Sequence, residues 1–398
     1  MALSLLTIFE ETKKKYKLEL ICGEDGLNNI MKWVYISEDI ATSAFLQGGE
    51  LIITTGVSSH QSKSWLYDFI YALIQQNTCG LILNTGTYIK DEDITEDIRA
   101  LCRHFHYPLF TMPWETRIYD ITHDYYNRIF NDSQTEKAIT AAFLSLIHRT
   151  ADPAQSEAIL AGYGYPAGRS YCVCYLQYSI PEASTFTEET ATNRILFALE
   201  RYLKNRHPGF HLCQNQHLFF IIAPETASAL LEKDMEELTN TLTAHFPDLN
   251  FSIGLGSEAS SLSELPRSFL HARAAASMAV YRNMDFFAFN NMGFFRILLS
   301  VSDRRILESY AEEQLGTIRR YDQAHNSRYL DTLYQYLLYN GSIQKIAEAL
   351  FCHRNTINYR IRVLKEELGC PLDDVGARFE LMAAFQIMEY LNVLGGCS

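Results

Sequence analysis

The 398-residue chain has no run approaching the ~20 consecutive apolar residues that a helix needs to cross a bilayer. Its longest apolar stretches, such as residues 218–223, have the length of buried strands. The apolar start, residues 1–9, is short, and Lys13, Lys14 and Lys15 follow it, the reverse of a secretory signal. A cytoplasmic protein with no membrane partner is expected. No C-x-x-C pair occurs, and nine cysteines, an odd number scattered along a long chain, do not suit a disulfide framework. Reduced, mostly buried thiols are expected instead. Cys172 and Cys174 fall on one face of a predicted strand, where core packing is the first reading and metal or redox chemistry the alternative. No G-x-S-x-G, P-loop or H-E-x-x-H is present, which removes the common hydrolase, nucleotidase and zinc-protease signatures. His104 and His106 lack a matching set of metal ligands. Gly162, Gly164 and Gly168 lack both dinucleotide spacing and a preceding strand. Internal repeats and low-complexity tracts are also missing. An enzyme, a metal or a cofactor is not expected.

What is present is ordinary globular composition, 47% hydrophobic and 20% charged. The length allows two or three domains at ~100–200 residues each. The net charge of −13 is unfavourable for binding nucleic acid, but DNA contact depends on local basic surface rather than on the total. The placement of the basic residues therefore decides the matter.

Hydrophobic periodicity predicts a multidomain chain, α/β in its first two units and all-α in its last. Residues 1–130 read as a partly parallel α/β domain. A helix over 3–20 leads to strands at 33–36, 50–54, 81–83 and 108–112, with helices over 64–76 and 98–105 between them. Residues 131–154 are a helical connector, part of a pattern running from 115 to about 149 that Asp152-Pro153 breaks. Residues 155–290 form a second α/β unit in the order strand–helix–strand–strand–helix–strand–helix. Residues 295–398 are helical, with segments at 303–310, 327–339, 342–350, 355–368 and 377–391, and the core of this domain spans 327–391.

The most informative segment is 341–369. Gly341 can end one helix and Ser342 can cap the next. Ile343, Ile346, Ala347 and Leu350 share a face, and the small Ala347 allows a close helix crossing. After a break at Phe351-Cys352-His353, the next helix carries Ile357, Ile361, Leu364 and Leu368 on its buried side. Gly369 and Pro371 stop it. Two short helices joined by about three residues form a helix-turn-helix, whose second helix enters the major groove. The outward face of that helix holds Arg354, Asn355, Asn358, Tyr359 and Arg362, flanked by His353, Thr356, Arg360 and Lys365. Arg pairs bidentately with guanine and Asn with adenine, while further cations hold phosphates. From Lys345 to Lys365 the sole acidic residue is Glu348, so this segment is basic within an acidic chain. The competing interpretation is an amphipathic helix pair with a solvated basic face, although such faces usually mix Glu with Lys. Phe351 stands at the turn position more often held by glycine.

The run His353-Arg354-Asn355-Thr356-Ile357-Asn358-Tyr359-Arg360 closely resembles the signature of PucR-type (purine-catabolism regulator and sugar-diacid regulator) transcription regulators. The resemblance extends forward. Gly23, Gly26-Leu27, Trp33-Val34 and the stretch from Gly48 to Gly56 look like the family's N-terminal regulatory domain, which implies a sensor for a small-molecule effector. The segments Gly48-Gly49 and Thr54-Thr55-Gly56 either cradle a ligand or serve only as turns. The middle unit is similar to the family's GGDEF-like domain, with Phe251-Ser252-Ile253-Gly254 as its last strand. It departs from cyclases at the catalytic hairpin, where Gln214-Asn215-Gln216-His217 replace the expected carboxylates, and at Gln177, near where a metal-binding Asp would stand. A cyclase needs carboxylates to hold magnesium against the transferring phosphates. The resemblance thus implies a ligand-responsive regulator binding a double-stranded operator as a homodimer or higher homo-oligomer. A nucleotide-signalling protein and a regulatory scaffold that binds no DNA are the alternatives.

Overall fold

The computed structural model describes residues 3–59, 62, 64–182, 184, 186–225 and 228–394. The first module opens with α1 (Leu5–Tyr16), whose N-cap Ser4 accepts the Thr7 amide. The helix stops at Lys17, which adopts φ 53°, and β1 (Glu19–Cys22) follows. The expected continuation of the helix to residue 20 is therefore corrected. The stop uses a lysine in the left-handed conformation rather than a glycine, and Glu19 and Leu20 then pair with β5, with a bulge before Cys22. Next come β2 (Trp33–Ile36), β3 (Glu50–Thr54), α2 (Trp65–Gln75), β4 (Gly80–Thr85), α3 (Glu96–His104) and β5 (Leu109–Pro113). The sheet order is β1-β5-β4-β3-β2, with β2 to β5 parallel and β1 antiparallel on β5. Every residue of β3 is buried, as expected for a central parallel strand covered on both faces. Ile52 points towards α2 and α3, whereas Leu51 and Ile53 join the core beneath α1.

A 31-residue helix, α4 (Ile118–His148), connects the first module to the second. Its early half buries Ile121 and Tyr125 in the first module's core. Its later half buries Ile139, Phe143, Leu146 and Ile147 in the next one. It ends at Arg149 in the left-handed conformation, and the expected break at Asp152-Pro153 opens a further helix, α5 (Pro153–Gly162).

The second module contains β6 (Tyr171–Ser179), α6 (Glu188–Arg206), β7 (His211–Asn215), β8 (Leu218–Pro224), α7 (Ser228–His245), β9 (Asn250–Leu255), α8 (Leu265–Tyr281) and β10 (Phe286–Ala288). Its sheet runs β10-β9-β6-β8-β7, antiparallel except for the pair β9–β10. Cys174, Leu176, Phe219 and Ile221 face α6 and α7. Val173, Tyr175, Phe220 and Ile222 face α4 and α8. Cys172 and Cys174 share the first of these faces, and burial pushes the Cys172 thiol up to about 12. Their surroundings are those of core residues. α8 lies so close on β9 that a Cβ at Gly254 would stand 2.1 Å from the Ala272 carbonyl oxygen. Only glycine fits there.

His211 at the start of β7 is buried beside α4, with its Nε2 2.9 Å from Thr140 Oγ1. Burial lowers its pKa to about 4, although a protonated ring would gain Glu136, 3.4 Å away. An unfolded histidine takes up a proton near pH 6.5, so between pH 6.5 and 4 the unfolded chain binds more protons than the folded one. Stability is therefore expected to fall as pH drops through that window, by roughly 2 kcal/mol at pH 5. Urea midpoints at pH 7 and pH 5 should separate for the native chain and move closer together for His211→Gln.

The remainder is helical apart from turns: α9 (Phe295–Leu298), α10 (Arg304–His325), α11 (Tyr329–Leu338), α12 (Ile343–Ala349), α13 (Arg354–Glu366) and α14 (Val375–Leu394). α10 is far longer than the expected 303–310. Leu307, Ala311, Leu315 and Ile318 form a buried stripe that carries the helix through Gly316 and the charged residues around it. α10 packs along α14, and both reach α8 and α9 through Leu307, Ala311, Ile387 and Phe295.

Candidate nucleic-acid interface

Helices α11, α12 and α13 pack on one another around Leu333, Ile346, Ile357, Ile361, Val363 and Leu364. The start of α11 is held by Asp322, whose carboxylate accepts the amides of Tyr329 at 2.8 Å and Leu330 at 2.9 Å. Three orthodox local choices then shape the motif. Gly341 takes φ 77° after α11, Ser342 precedes α12, and His353 caps α13 by accepting the Asn355 amide on Nδ1 at 3.3 Å. The fourth choice is unusual. Phe351 fills the turn between α12 and α13 with φ 55° and 97% exposure.

A phenylalanine in the left-handed region costs ~1–2 kcal/mol in local sterics, and this ring has no packing to offset the cost. Phe351→Gly is therefore expected to raise the stability of the helical module by about 1 kcal/mol. A thermal melt that shows Phe351→Gly to be less stable than the native chain would contradict this account of the turn.

The exposed face of α13 follows from where its apolar residues point. With Ile357, Ile361 and Leu364 buried, Arg354, Asn355, Thr356, Asn358, Tyr359 and Arg362 all reach solvent. The Arg362 guanidinium lies 5.4 Å from the Tyr359 ring centroid. Among the described residues nothing hydrogen-bonds to or pairs with the side chains of Arg354, Asn355 and Asn358. His353 is exposed and is also the N-cap. Two flanking cations are placed differently. Lys365 is half-buried and pairs with Asp373 at 2.7 Å, and Arg360 turns inward to Thr332 Oγ1 at 3.2 Å. Val363 is buried on the inner side, whereas Leu368 is half-buried. Lys345 and Gln344 are exposed on α12. As part of the shorter helix they carried no distinguishing signal in the sequence. The amide end of α13 adds a partial positive charge beside Arg354.

The two glycine-flanked turns of the first module are occupied by their own carboxylates. Glu38 accepts the amides of Thr55 at 2.7 Å and Gly56 at 3.0 Å, together with the Thr54 hydroxyl at 2.8 Å. Glu50 accepts the amides of Gln47 at 2.7 Å and Gly48 at 2.9 Å. This favours a turn-forming role for Gly48-Gly49 and Thr54-Thr55-Gly56. In the second module the β7–β8 hairpin turns through Gln216 at φ 54°. His217 ties it to α6, with Nδ1 3.1 Å from Thr192 Oγ1 and Nε2 3.5 Å from Glu188. Gln177 lies mid-sheet, paired with Ser252. Neither the hairpin nor Gln177 supplies the carboxylates that a magnesium-bound nucleotide would require, so the residues present do not fit that group.

Fold and site together define a three-module protein: two α/β modules joined by a long helix, and a helical module that presents a helix-turn-helix. Three family models match in the same order. They are the purine catabolism regulatory protein-like family over residues 8–129, a GGDEF-like domain over 148–278 and the PucR C-terminal helix-turn-helix domain over 329–387. Module by module, the chain matches PucR-type regulators. It is 26% identical over 200 residues to the proline-responsive transcriptional activator PutR of Bacillus subtilis (strain 168), a match covering 48% of each protein. It is 23% identical over 133 residues to the DNA-binding transcriptional activator AdeR of the same organism, covering 33% of this chain and 32% of that one. The chain thus spans about half the length of the first relative and a third of the second. A regulator of polyketide synthase expression from Bifidobacterium adolescentis, known from its crystal structure, matches at 18% identity with a TM-score of 0.27, covering 63% of this chain and 97% of that one. Among the described residues no helix is long and apolar enough to cross a membrane.

Proposed function

We propose that the chain is a cytoplasmic, ligand-responsive, DNA-binding transcription regulator of a catabolic or metabolic operon, and not an enzyme. The observation that carries this reading is the solvent-facing side of α13, where Arg354, Asn355, Asn358, Tyr359 and Arg362 stand exposed above a packed three-helix core. Base edges are read by Arg354, Asn355 and Asn358. Tyr359, Arg362, Thr356 and Lys345 hold the backbone, and His353 chiefly orients the first turn through its cap. Lys365 contributes charge while held by Asp373. Similarity to two transcriptional activators, one of them named as responsive to proline, supports a small-molecule effector for the first two modules. Residues 1–130 sense the effector, 131–154 connect, 155–290 relay or dimerise, and 295–398 bind the operator.

One helix-turn-helix gives limited affinity, so two copies are expected on a twofold site with half-sites ~34 Å apart. Selection of bound sequences from a random duplex library tests the reading. The expected product is a motif of two related half-sites whose affinity falls steeply with salt, as phosphate contacts require. No enrichment, together with no duplex binding at low salt, would overturn it.

A further inference from the structure

β2 is an edge strand of the first sheet, bonded to β3 alone, and α4 packs beside it. One side of α4 is committed, with Ile121 and Tyr125 fully buried. On the other side Tyr119, His123, Tyr126 and Phe130 recur at steps of four, three and four residues, and all are exposed. Those steps are the seam spacing of paired helices. The rings are already ordered against each other. Tyr119 stacks on His123 at 5.8 Å and Tyr126 on Phe130 at 6.5 Å, while Trp33 of β2 meets Tyr126 edge-on at 5.2 Å. Exposure is 73% for Tyr119, 50% for Phe130, 46% for Tyr126, 48% for Trp33 and 49% for Ile36.

We infer that this face joins two copies of the chain, α4 lying along α4 of the second copy with the two β2 edges flanking the pair. The inference deepens the preceding reading, which calls for two copies, by naming where they meet. Area favours a second copy as the occupant. With a whole aromatic side chain offering ~150–250 Å², these five residues together present on the order of 500–600 Å² of apolar surface. At the ~65% apolar share of homodimer interfaces this corresponds to roughly 800–900 Å² per copy, which matches the ~800 Å² per partner of stable complexes. A patch of this size is at the upper end of what monomers expose, where such patches are often functional. The seam positions themselves, Tyr119, His123, Tyr126 and Phe130, include no Asp, Glu, Lys or Arg. Of the charges between them, Asp124 and Arg128 pair with each other at 3.0 Å and Asp120 is exposed beside the seam, so a twofold axis can set the aromatic positions against themselves without juxtaposing like charges there.

Sedimentation velocity of the full chain without DNA tests the interface. The native chain is expected to sediment as a dimer at micromolar concentration. The double variant Tyr119→Glu/Phe130→Glu should sediment as a monomer, with self-association weakened on the order of 100-fold or more. Its circular dichroism melt should match the native one, because both rings point away from the core. A monomeric native chain, or a double variant that remains dimeric, would overturn the interface. Tyr119→Phe alone should leave the dimer intact and so guards against a general effect of substitution. A native monomer that still binds duplex would refute the interface and spare the regulator, while a dimer that binds no duplex would do the opposite.

Discussion

Replacing Arg354 or Asn355 by alanine is expected to weaken binding to the selected operator by roughly 1–3 kcal/mol, about 5- to 150-fold. Both side chains sit in the first turn of α13, exposed and without partners among the described residues. Neither contributes to the core around Ile357 and Ile361, so truncation removes contacts to DNA without a packing cost. A base-reading residue also predicts a change in preference. Arg354→Ala should relax discrimination at one base pair of each half-site while leaving the salt slope nearly unchanged. Arg362→Ala, if it holds a phosphate, should weaken all sequences alike and reduce the slope by about one. Fluorescence anisotropy across operator variants and salt concentrations separates the two patterns. Unchanged binding in both Arg354→Ala and Asn355→Ala would remove α13 as the reading helix, whatever else the protein binds.

The helix-turn-helix was legible because each of its signals is local. Gly341 and the spacing of Ile357, Ile361 and Leu364 act within a turn or two of themselves, and the structure uses each as its residue type suggests, whereas Ser342 stands at the N-cap position of α12 without a capping hydrogen bond from its side chain. The same holds for β3, whose continuous apolar run follows from burial on both faces of a parallel strand. What escaped depends on contacts distant in sequence. The end of α1 at Lys17 is set by β1 pairing with β5, ninety residues away, and overrides the helical period of the leucines. The inward turn of Arg360 to Thr332 and the pairing of Lys365 with Asp373 could not be seen from a helical wheel, which shows a direction but not a partner. The carboxylates of Glu38 and Glu50 likewise occupy turn amides that the sequence alone leaves open to a ligand. The exposed seam of α4 is a further case. Its aromatics look like core residues until Ile121 and Tyr125 are seen to fill the inner face.

The largest loss of stability is expected at Phe143, where the connecting helix enters the second module. Its ring is fully buried, edge-on to Tyr165 at 5.1 Å and tilted against His211 at 5.4 Å. Phe143→Ala leaves a cavity that α4 can close only by moving, and it also bares the surroundings of the buried histidine. The expected cost is about 3–5 kcal/mol, a large fraction of a module's total stability. The three tryptophans, Trp33, Trp65 and Trp114, all lie in the first module, which lets the two α/β modules be followed separately. In urea, far-ultraviolet dichroism of Phe143→Ala should begin its transition at a clearly lower midpoint than the native chain. Tryptophan emission should shift less, because Ile121 and Tyr125 still anchor the early half of α4 to the first module. A common shift of both signals would mean that α4 welds the two cores into one cooperative unit. A loss below ~1 kcal/mol would mean that the later half of α4 does not depend on this ring for its docking. Should the transitions separate as expected, α4 is one rigid helix with two independent anchors. A change of packing at the first anchor then moves the second module, and the helical module seated on α8, without remaking either core.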